Sequence, residues 1–521
     1  MKKLLSLALS VILVLVCAVI LGGCQTATQT TPAGTAAKQI GGKLVMLQTT
    51  ELNSFYNAEQ SGPEDGMQSR PATETLVVYE KDGTFTPWLA EEITEDAQSK
   101  AITVKVRKNV KFHDGTTLDA AAVKWNLEQF AKSPRFAPDY KAVTSMDVKD
   151  DYTLRINFSE WNSYFLNTWI GQNVMSPTSF NKNGLEWCRT HVVGTGPFKL
   201  VSYERDVKKV FERNDGYWRG KPNLDSIEIA IVPDPTVQVS MLLSGQADLI
   251  NGVTYSDAAE FKNNPKFVVS QSTVNKGVSF LAPNSIDPKS PFAKLEVRQA
   301  ISYALEKEKM LNAIFKGYGN PTNQLAHEGI WSYNPSVAGY PYNPEKAKDL
   351  LQKAGYGGGF TTKLYSRNEA DTVSLVTAVA DYLSKIGIRV EINAVNQGQY
   401  MTLMIMQGWP EGMLLGAIQS YPDAQLIMKD LSSLGHVGFS KSLAHFDDLD
   451  KKVAEAIHAP DFNTKRDTVR QLQSMFIDQY ALVTPIVTSG SKYLKSAKLH
   501  DDYVCVVYEQ PKTFGDAWKE K

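Results

Sequence analysis

Strand-like and helix-like patterns alternate along most of this chain, and no internal repeat is visible. Residues 41–48, GGKLVMLQ, predict a first strand. Residues 102–130 combine an alternating strand, a His-Asp-Gly turn and a helix for which Asp119 is a natural N-cap. Residues 371–392 predict a helix, a stop at Gly387 and another strand. Such α/β units favour a sheet covered by helices.

Other segments fit the same interpretation. Residues 51–70 predict a long polar loop, and residues 194–218 predict two strands in a hairpin or meander. Residues 296–315 place an apolar stripe on one face of a helix that includes Val297, Ile301 and Leu305. Further strands are predicted at 151–158, 224–232 and 247–250, and further helices at 235–245 and 343–355, the latter with Asn343 as cap, Pro344 at the first position and Gly355 past the end.

Length and charge limit the possible functions. A chain of 521 residues exceeds what one core usually organises, so at least two lobes are expected. The formal net charge is −1, and it becomes −3 without Lys2 and Lys3. No global basic field indicates a nucleic-acid partner.

The first forty residues are predicted to lie outside the fold. MKK and the apolar run Leu4–Leu21 indicate a secretory signal, residues 1–23, although the run is also long enough for an uncleaved anchor. LGGC at Leu21–Cys24 resembles the lipobox of bacterial lipoproteins, which implies cleavage before Cys24 and lipid on that cysteine; simple secretory cleavage is the alternative. Residues 24–40 then form a flexible tether, because they contain too few apolar residues to order themselves.

The cysteines and local motifs give little sign of catalysis. Cys188 and Cys505 remain in the folded part; export permits a disulfide, but no spacing requires one, and two buried thiols are the simpler expectation. No CxxC, HExxH or GxSxG occurs, and GTG at Gly194–Gly196 runs into a proline rather than opening a helix. No cofactor is expected.

Seven motifs in order carry a family likeness over 42–513. They resemble the peptide/nickel class of extracellular solute-binding proteins of ABC importers, family 5. The motifs are FHDGTTLDAAAVKWNLEQF, VVGTGPFKLVSYE, FERNDGYWRGKPNLDSIEI, LLSGQADLI, SPFAKLEVRQAISYALEKEKML, YPYNPEKAKDLLQKAG and LSKIGIRVEI.

The resemblance implies an α/β, two-lobed periplasmic-binding-protein fold (type II, cluster C-like) with an extra subdomain inserted in the first lobe. The family pattern implies a first lobe of 41–88, 192–284 and 488–521, an inserted subdomain of 89–191 and a second lobe of 285–487. GTGPF and NDGYW are expected to form turns and hinge packing rather than ligand contacts.

Ligand choice is expected in residues 412–439. Peptide-binding members usually carry W-x-x-D-Y-P-D-P here, and the first acid pairs with the ligand's α-amino group. In this sequence Ala417 takes the place of the tryptophan and Ser420 that of the acid, while Tyr421, Pro422 and Asp423 are kept. Losing a carboxylate that meets a buried ammonium leaves the cation unpaired, so a standard free amino terminus is disfavoured.

Two positions indicate different ligands. Arg367 lies twenty residues before Gly387 and matches by spacing an arginine that dipeptide-binding members use for the ligand carboxylate. A solvated cation or an interlobe salt bridge is the alternative role. His436 lies thirteen residues after Asp423, which resembles the histidine that completes a metal chelate in nickel-binding members, although a surface histidine fits the same position.

The remaining candidates are cleft-wall residues. Met67 and Arg70 follow the first loop, where family members begin the cleft wall, and Trp409 and Tyr421 offer flat surfaces for a ligand. Trp409 also fits a core or lid position. His113 and Asp114 look like an acid/base pair, but in the family FHDG is a turn before a helix.

The sequence therefore favours a monomeric binding protein that captures a peptide or small anionic solute for an ABC permease and its ATPase. A lipid anchor is expected to hold it on the cell membrane, facing the periplasm or the exterior. A metal chelate, such as one of nickel, is the alternative cargo. An exported hydrolase is disfavoured because no nucleophile with a positioned base is visible. A receptor using the same fold remains open.

Overall fold

A mixed sheet of eleven strands runs through the residues that the computed structural model describes, which are 40–60, 63–80, 82–134, 136–169, 172–419, 423–501 and 513–520. The strands of the described residues are β1 (Lys43–Gln48), β2 (Val77–Tyr79), β3 (Phe85–Pro87), β4 (Ala90–Asp96), β5 (Ala101–Val106), β6 (Val143–Asp150), β7 (Thr153–Phe158), β8 (Phe198–Glu204), β9 (Lys208–Arg213), β10 (Ser226–Ile231), β11 (Leu249–Asn251), β12 (Phe267–Pro283), β13 (Asn320–Pro321), β14 (Phe360–Arg367), β15 (Ile388–Val395), β16 (Met413–Gln419), β17 (Thr484–Ser496), β18 (Leu499–His500) and β19 (Trp518–Lys519).

Helices cover both faces of that sheet. The α-helices are α1 (Pro63–Ser69), α2 (Ala120–Lys132), α3 (Ala137–Tyr140), α4 (Phe165–Thr168), α5 (Pro177–Thr190), α6 (Pro235–Leu243), α7 (Tyr255–Phe261), α8 (Leu295–Ala304), α9 (Lys307–Phe315), α10 (Pro344–Lys353), α11 (Ala370–Ser384), α12 (Gln397–Met401), α13 (Gln425–Leu431), α14 (Gly438–Ser442), α15 (Asp447–Ile457) and α16 (Phe462–Ser474). Short 3₁₀ turns lie at Asn57–Glu59, Pro291–Ala293 and Phe514–Asp516, and π-helical turns at Thr402–Gln407 and Met475–Gln479.

The large sheet has two halves joined by two long strands. Its order is β15-β14-β16-β12-β17-β11-β1-β10-β9-β8, with β13 paired to β17. We call the β8–β11 and β1 half the first lobe and the β14–β16 half the second lobe; β12 and β17 pass between them. On β12, Phe280 faces one core of the second lobe and Leu281 the other, since alternate strand residues point to opposite faces.

A separate antiparallel sheet, in the order β4-β5-β7-β6, lies within residues 90–158. Together with α2–α5 it forms what we call the small-sheet region, residues 90–190. Asp119 caps α2 as predicted, since its side chain accepts from the Ala122 N–H at 2.7 Å. This region lies between β3 and β8 in the chain, and the insertion of 89–191 into the first lobe stays a prediction.

Most of the predicted elements are confirmed. The strands β1, β5, β7, β10 and β11 lie where the patterns indicated, and β8 and β9 form the predicted antiparallel pair. The helix α10 has the predicted signature, because the Asn343 side chain accepts from the Lys346 N–H and Gly355 has a φ of +83°.

Two expectations need correction. The stripe in 296–315 belongs to two helices, because the chain leaves the helical conformation at Leu305 and α9 starts at Lys307. Residues 51–70 are not a solvated polar loop: they contain a 3₁₀ turn and α1, and Phe55, Gln60 and Arg70 are buried. Their polar side chains find partners inside the protein, which periodicity cannot reveal.

The buried carboxylate of Glu74 binds donors from the segments on either side of the small-sheet region. Glu74 accepts hydrogen bonds from Trp88 Nε1 at 2.9 Å and Tyr217 OH at 2.7 Å on one oxygen. Its other oxygen accepts from Thr195 Oγ1 at 2.8 Å and Trp218 Nε1 at 3.0 Å. Burial raises the pKa of Glu74, and these four donors oppose that shift. The GTGPF and NDGYW motifs therefore supply donors to one structural carboxylate.

The GTG turn is a packing motif. A Cβ on Gly194 would collide with the carbonyl oxygen of Ala72, and one on Gly196 would approach the Ala72 carbonyl carbon to 2.6 Å. The buried His113 ring pins the same turn through a 2.9 Å contact with the Gly196 carbonyl, and burial lowers the pKa of His113 to about 4. Asp114 accepts from Thr116 and Ser176. The FHDG segment thus forms the expected turn.

The predicted amino-terminal signal and tether, with Cys24, lie outside the described residues, as does Cys505. Cys188 is a buried free thiol, and its burial raises its pKa to about 11. Within the described ranges, no helix combines the length and the apolar character needed to cross a bilayer.

Replacing Glu74 by Gln should destabilise the fold. The amide offers one acceptor oxygen, and its NH₂ group faces two donors, so the free energy of unfolding should fall by about 2–4 kcal/mol. Urea titration followed by tryptophan fluorescence measures this change. Glu92→Gln, at an exposed carboxylate paired with Lys105, is the matched control and should leave the midpoint unchanged. Equal effects of the two changes would contradict the role of Glu74.

Candidate functional site

The site lies where parallel strands of both lobes end. β1 runs parallel to β11 in the first lobe, and β14 runs parallel to β16 in the second. In open α/β sheets, ligands bind outside the carboxyl ends of such strands. The described segments that follow these ends are 49–60, 252–254, 368–369 and 423–424. We call this the carboxyl edge.

Arg367 ends β14 at the carboxyl edge. Its guanidinium lies 5.7 Å from the centroid of the Tyr400 ring, and Nη1 is 3.2 Å from Glu369 Oε1. The Tyr400 hydroxyl donates to the Leu415 carbonyl at 2.9 Å, which ties this group to β16. Because the Glu369 side chain is more than half exposed, its carboxylate is weakly held and exchangeable.

The next predicted ligand residues divide into two groups. Ser420 and Tyr421 lie outside the described residues. Asp423 is 1% exposed, and its Oδ1 accepts from the Gln425 N–H at the start of α13. Its Oδ2 lies 2.5 Å from Lys465 Nζ and accepts from Asn167 Nδ2 at 2.5 Å. Asp423 therefore joins protein groups in this structure rather than facing an open cleft.

Asp423 belongs to a contact between the small-sheet region and the second lobe. Lys465 Nζ also donates to the Ser163 carbonyl at 2.8 Å, and Ser163 Oγ donates to the Ala456 carbonyl at 2.8 Å. Trp161 Nε1 donates to the Ala459 carbonyl at 2.8 Å. Since removing one member of a buried ion pair leaves an uncompensated charge, Asp423 and Lys465 depend on each other. We call these contacts the latch.

A second ion pair extends the latch. Lys429 Nζ lies 3.5 Å from Asp139 and 3.1 Å from the Tyr164 hydroxyl. Burial raises the pKa of Asp139, and the Lys429 ammonium opposes that shift.

His436 lies at the exposed border of this contact, between α13 and α14. Partial burial, followed by the cations Lys429 and Lys141, lowers its pKa, whereas Asp139 opposes the shift. No group of three His, Cys, Asp or Glu side chains suited to a metal ion occurs in the part of the chain that the structure describes. Its role as a surface histidine or as a ligand that completes a metal chelate stays a prediction.

Trp409 is 1% exposed and packs in a core of the second lobe. Its ring centroid lies 5.7 Å from that of Phe439. Its backbone is fixed by Ser442 Oγ, which accepts from the Trp409 N–H at 2.9 Å, and by Asn284 Nδ2, which donates to the Trp409 carbonyl at 2.7 Å. The core role that the sequence left open is the one this geometry favours.

Met67 and Arg70 belong to the buried side of the first lobe. Met67 packs in a cluster with Phe55 and Phe198. The Arg70 N–H donates to the Gly66 carbonyl at 3.1 Å, and the side chain is buried. Both residues shape the wall behind segment 49–60.

A cation–π contact lies beside β17, one of the two strands that pass between the lobes. Lys492 Nζ, on β17, lies 3.3 Å from the centroid of the Tyr255 ring, which belongs to α7 of the first lobe. Burial lowers the pKa of Lys492 to about 8, and Asp371, at the start of α11 in the second lobe, opposes the shift. This contact couples both lobes to a shared strand.

An open groove of about 600 Å³ lies beside segment 49–60. Its lining includes Glu59, Arg189 and Arg205. Arg189 is already paired with Glu59 at 2.7 Å and with Glu186, so its charge is neutralised within the protein. We assign no solute to this groove.

The sequence analysis missed a set of buried amides near the carboxyl edge. Each of these residues is buried and has at least one amide atom without a hydrogen-bond partner among the described residues. They are Asn57, Asn167, Gln172 and Asn173. No spacing or motif marks them, because isolated Asn and Gln residues in a polar segment also predict a loop.

A family model describes most of this chain. The model for "Bacterial extracellular solute-binding proteins, family 5 Middle" matches residues 84–438. The glutathione-binding protein GsiB of Pectobacterium atrosepticum is 31% identical over 334 residues, covering 62% of this chain and 63% of the relative. Its Escherichia coli counterpart is 32% identical over 321 residues, covering 60% and 61%. These matches thus span less than two thirds of the relatives' length.

Solved structures agree in fold. DppA from Helicobacter pylori in complex with the peptide STSA is 22% identical and covers 93% of this chain and 99% of its own, with a TM-score of 0.77. AppA from Bacillus subtilis in complex with a nonapeptide is 21% identical, covers 93% and 100%, and has a TM-score of 0.75. NikA from Brucella suis in complex with Fe(III)-EDTA is 22% identical, covers 88% and 96%, and has a TM-score of 0.77. These likenesses show the two-lobed α/β fold, and with the family model they establish that the chain belongs to family 5 of the bacterial extracellular solute-binding proteins.

Proposed function

We propose that this protein captures a peptide or peptide-like solute outside the cytoplasm and delivers it to the permease of an ABC importer, acting as a monomer and without catalysis. The GsiB relatives, which are named for binding glutathione, support a peptide-like cargo. Glutathione is a tripeptide with two carboxylates, so an anionic peptide-like solute fits both that name and Arg367.

The position of Arg367 carries this proposal. It lies at the carboxyl edge, its planar group is held against Tyr400, and its present partner, Glu369, is a weakly held carboxylate. The guanidinium of an arginine can donate two parallel hydrogen bonds to a ligand carboxylate. A ligand carboxylate would take the place that Glu369 occupies here.

Co-purified solute tests the proposal directly. The mature domain, purified without chelators, is examined by native mass spectrometry, denatured, and its released molecules identified. Released peptides support the proposal. A metal chelate that is absent from a His436→Ala variant would contradict it in favour of metal uptake.

Arg367→Ala should weaken binding of a tripeptide with a free carboxyl terminus by about 10- to 100-fold, because a charge-assisted hydrogen bond is lost. Calorimetric titration with trialanine, trialanine amide and glutathione measures the change, and the amide should bind both proteins alike. Arg389→Ala, at an exposed arginine on the neighbouring strand β15, is the control. Equal affinities of Arg367→Ala and wild type for the free acid would contradict the role of Arg367.

Ser420→Asp should improve binding of peptides with a free amino terminus about tenfold over their N-acetyl forms, because it restores a carboxylate to the position that pairs with the ammonium. Ser420→Asn tests size without charge. A gain shared by acetylated peptides, or by the Asn variant, would show that the charge is not responsible.

We further propose that lipid on Cys24 holds the protein on the membrane, facing the periplasm or the exterior. Cys24→Ala should shift the protein from the detergent phase to the aqueous phase of a Triton X-114 partition, since lipid provides the attachment. Cys17→Ala, inside the predicted signal, should not. Detergent partition of both variants would contradict lipidation.

A further inference from the structure

One short segment of the small-sheet region touches both lobes. At one end, Trp161 and Ser163 bond to the second lobe through the latch. At the other end, the Val174 N–H donates to the Glu74 carbonyl at 2.8 Å. The described residues on either side of 170–171 therefore contact the second lobe at one end and the Glu74 backbone at the other.

Asn173 lies at the first-lobe end of that crossing. Its carbonyl accepts from Asn57 Nδ2 on the 3₁₀ turn of segment 49–60. The two residues are 1% and 2% exposed, respectively. Within the described part of the chain, Oδ1 and Nδ2 of Asn173 and Oδ1 of Asn57 have no hydrogen-bond partner. Three amide atoms of two adjoining residues are thus buried without partners.

The second-lobe end has the same feature. Asn167 Nδ2 donates to Asp423, which follows 420–422 directly, but its Oδ1 has no partner in the described ranges. Buried polar atoms are satisfied in almost all proteins, by the protein, by water or by a ligand. Asn126 shows the ordinary case in the same region: its amide donates to Ala122 and Met175 and accepts from the Met175 N–H.

We infer that Asn173 and Asn57 form a subsite for an uncharged peptide group of the solute, at the junction of the first lobe and the small-sheet region. Asn173 offers one donor and one acceptor, which match the C=O and N–H of a peptide unit, and Asn57 Oδ1 offers a second acceptor. Burying a ligand charge against neutral amides would leave it uncompensated, so the subsite selects amide groups and leaves the carboxylate to Arg367. This assignment rests on the proposed function.

Asn173→Ala tests the subsite through affinity and amide specificity. The probes are trialanine and two depsipeptide analogues, each with one peptide N–H replaced by an ester oxygen. Wild type should prefer trialanine over at least one analogue by about tenfold, because the ester leaves an Asn acceptor unpaired. The variant should lose about tenfold in affinity for trialanine together with that preference, and Asn173→Ser, which keeps a donor and an acceptor, should recover part of both.

Thermal unfolding of the unbound proteins supplies the second measurement. Asn173→Ala removes no hydrogen bond within the described structure, so its midpoint should stay close to that of wild type. Asn126→Ala removes three and should lower the midpoint while leaving the specificity for trialanine intact.

The outcomes separate the two ideas. If wild type binds trialanine but Asn173→Ala binds it equally well with the same preference, the subsite is wrong and the amides are satisfied by water. If wild type binds none of trialanine, N-acetyl-trialanine and glutathione, and releases no peptide on denaturation, the proposed function is wrong and the peptide subsite with it.

Discussion

The side-chain and backbone hydrogen bonds of Glu74 together are the interaction on which the arrangement of the first lobe and the small-sheet region depends. Its side chain collects donors from three separate segments of sequence, represented by Trp88, Thr195 and Trp218. Its backbone carbonyl fixes Val174, next to Asn173. Burying the Glu74 carboxylate without these donors would carry a large free-energy cost, so the folded state requires each donor segment to be in place. The same residue thus organises packing and positions the proposed subsite.

The sequence predicted the regular elements well, because caps, stops and alternation are local. Asp119, Asn343 and Gly355 act where their chemistry indicated. The failures have one physical cause. In the polar segment from Phe55 to Arg70, Asn57 and Gln68 are buried because their side chains donate to the carbonyls of Asn173 and Thr50. Such tertiary pairing has no periodic signature, so the pattern predicts a loop.

Sequence patterns located little of the candidate site. The family spacing indicated Arg367 as a residue that binds a carboxylate, and the structure places it at the end of β14; its role stays a prediction. Asp423 was expected to face a ligand, but its oxygens meet Lys465, Asn167 and a helix N–H. An acid kept in a motif does not reveal its partner, because the cation that meets it lies forty-two positions along the chain. No sequence pattern marks the buried amides Asn57, Asn167, Gln172 and Asn173.

The division between charged and neutral groups in the interior has a physical reason. The buried charges of Glu74 and Asp423 have partners within the protein, whereas Asn57, Asn167 and Asn173 keep amide atoms without hydrogen-bond partners among the described residues. A buried charge without a partner costs far more than an unpaired amide. A subsite that must exist both with and without its ligand, as proposed for Asn57 and Asn173, is therefore better formed by neutral groups than by charged ones. Charges such as Lys465 then serve the contact between the small-sheet region and the second lobe, and the partly exposed guanidinium of Arg367 is available to a ligand because water solvates it when no ligand is bound.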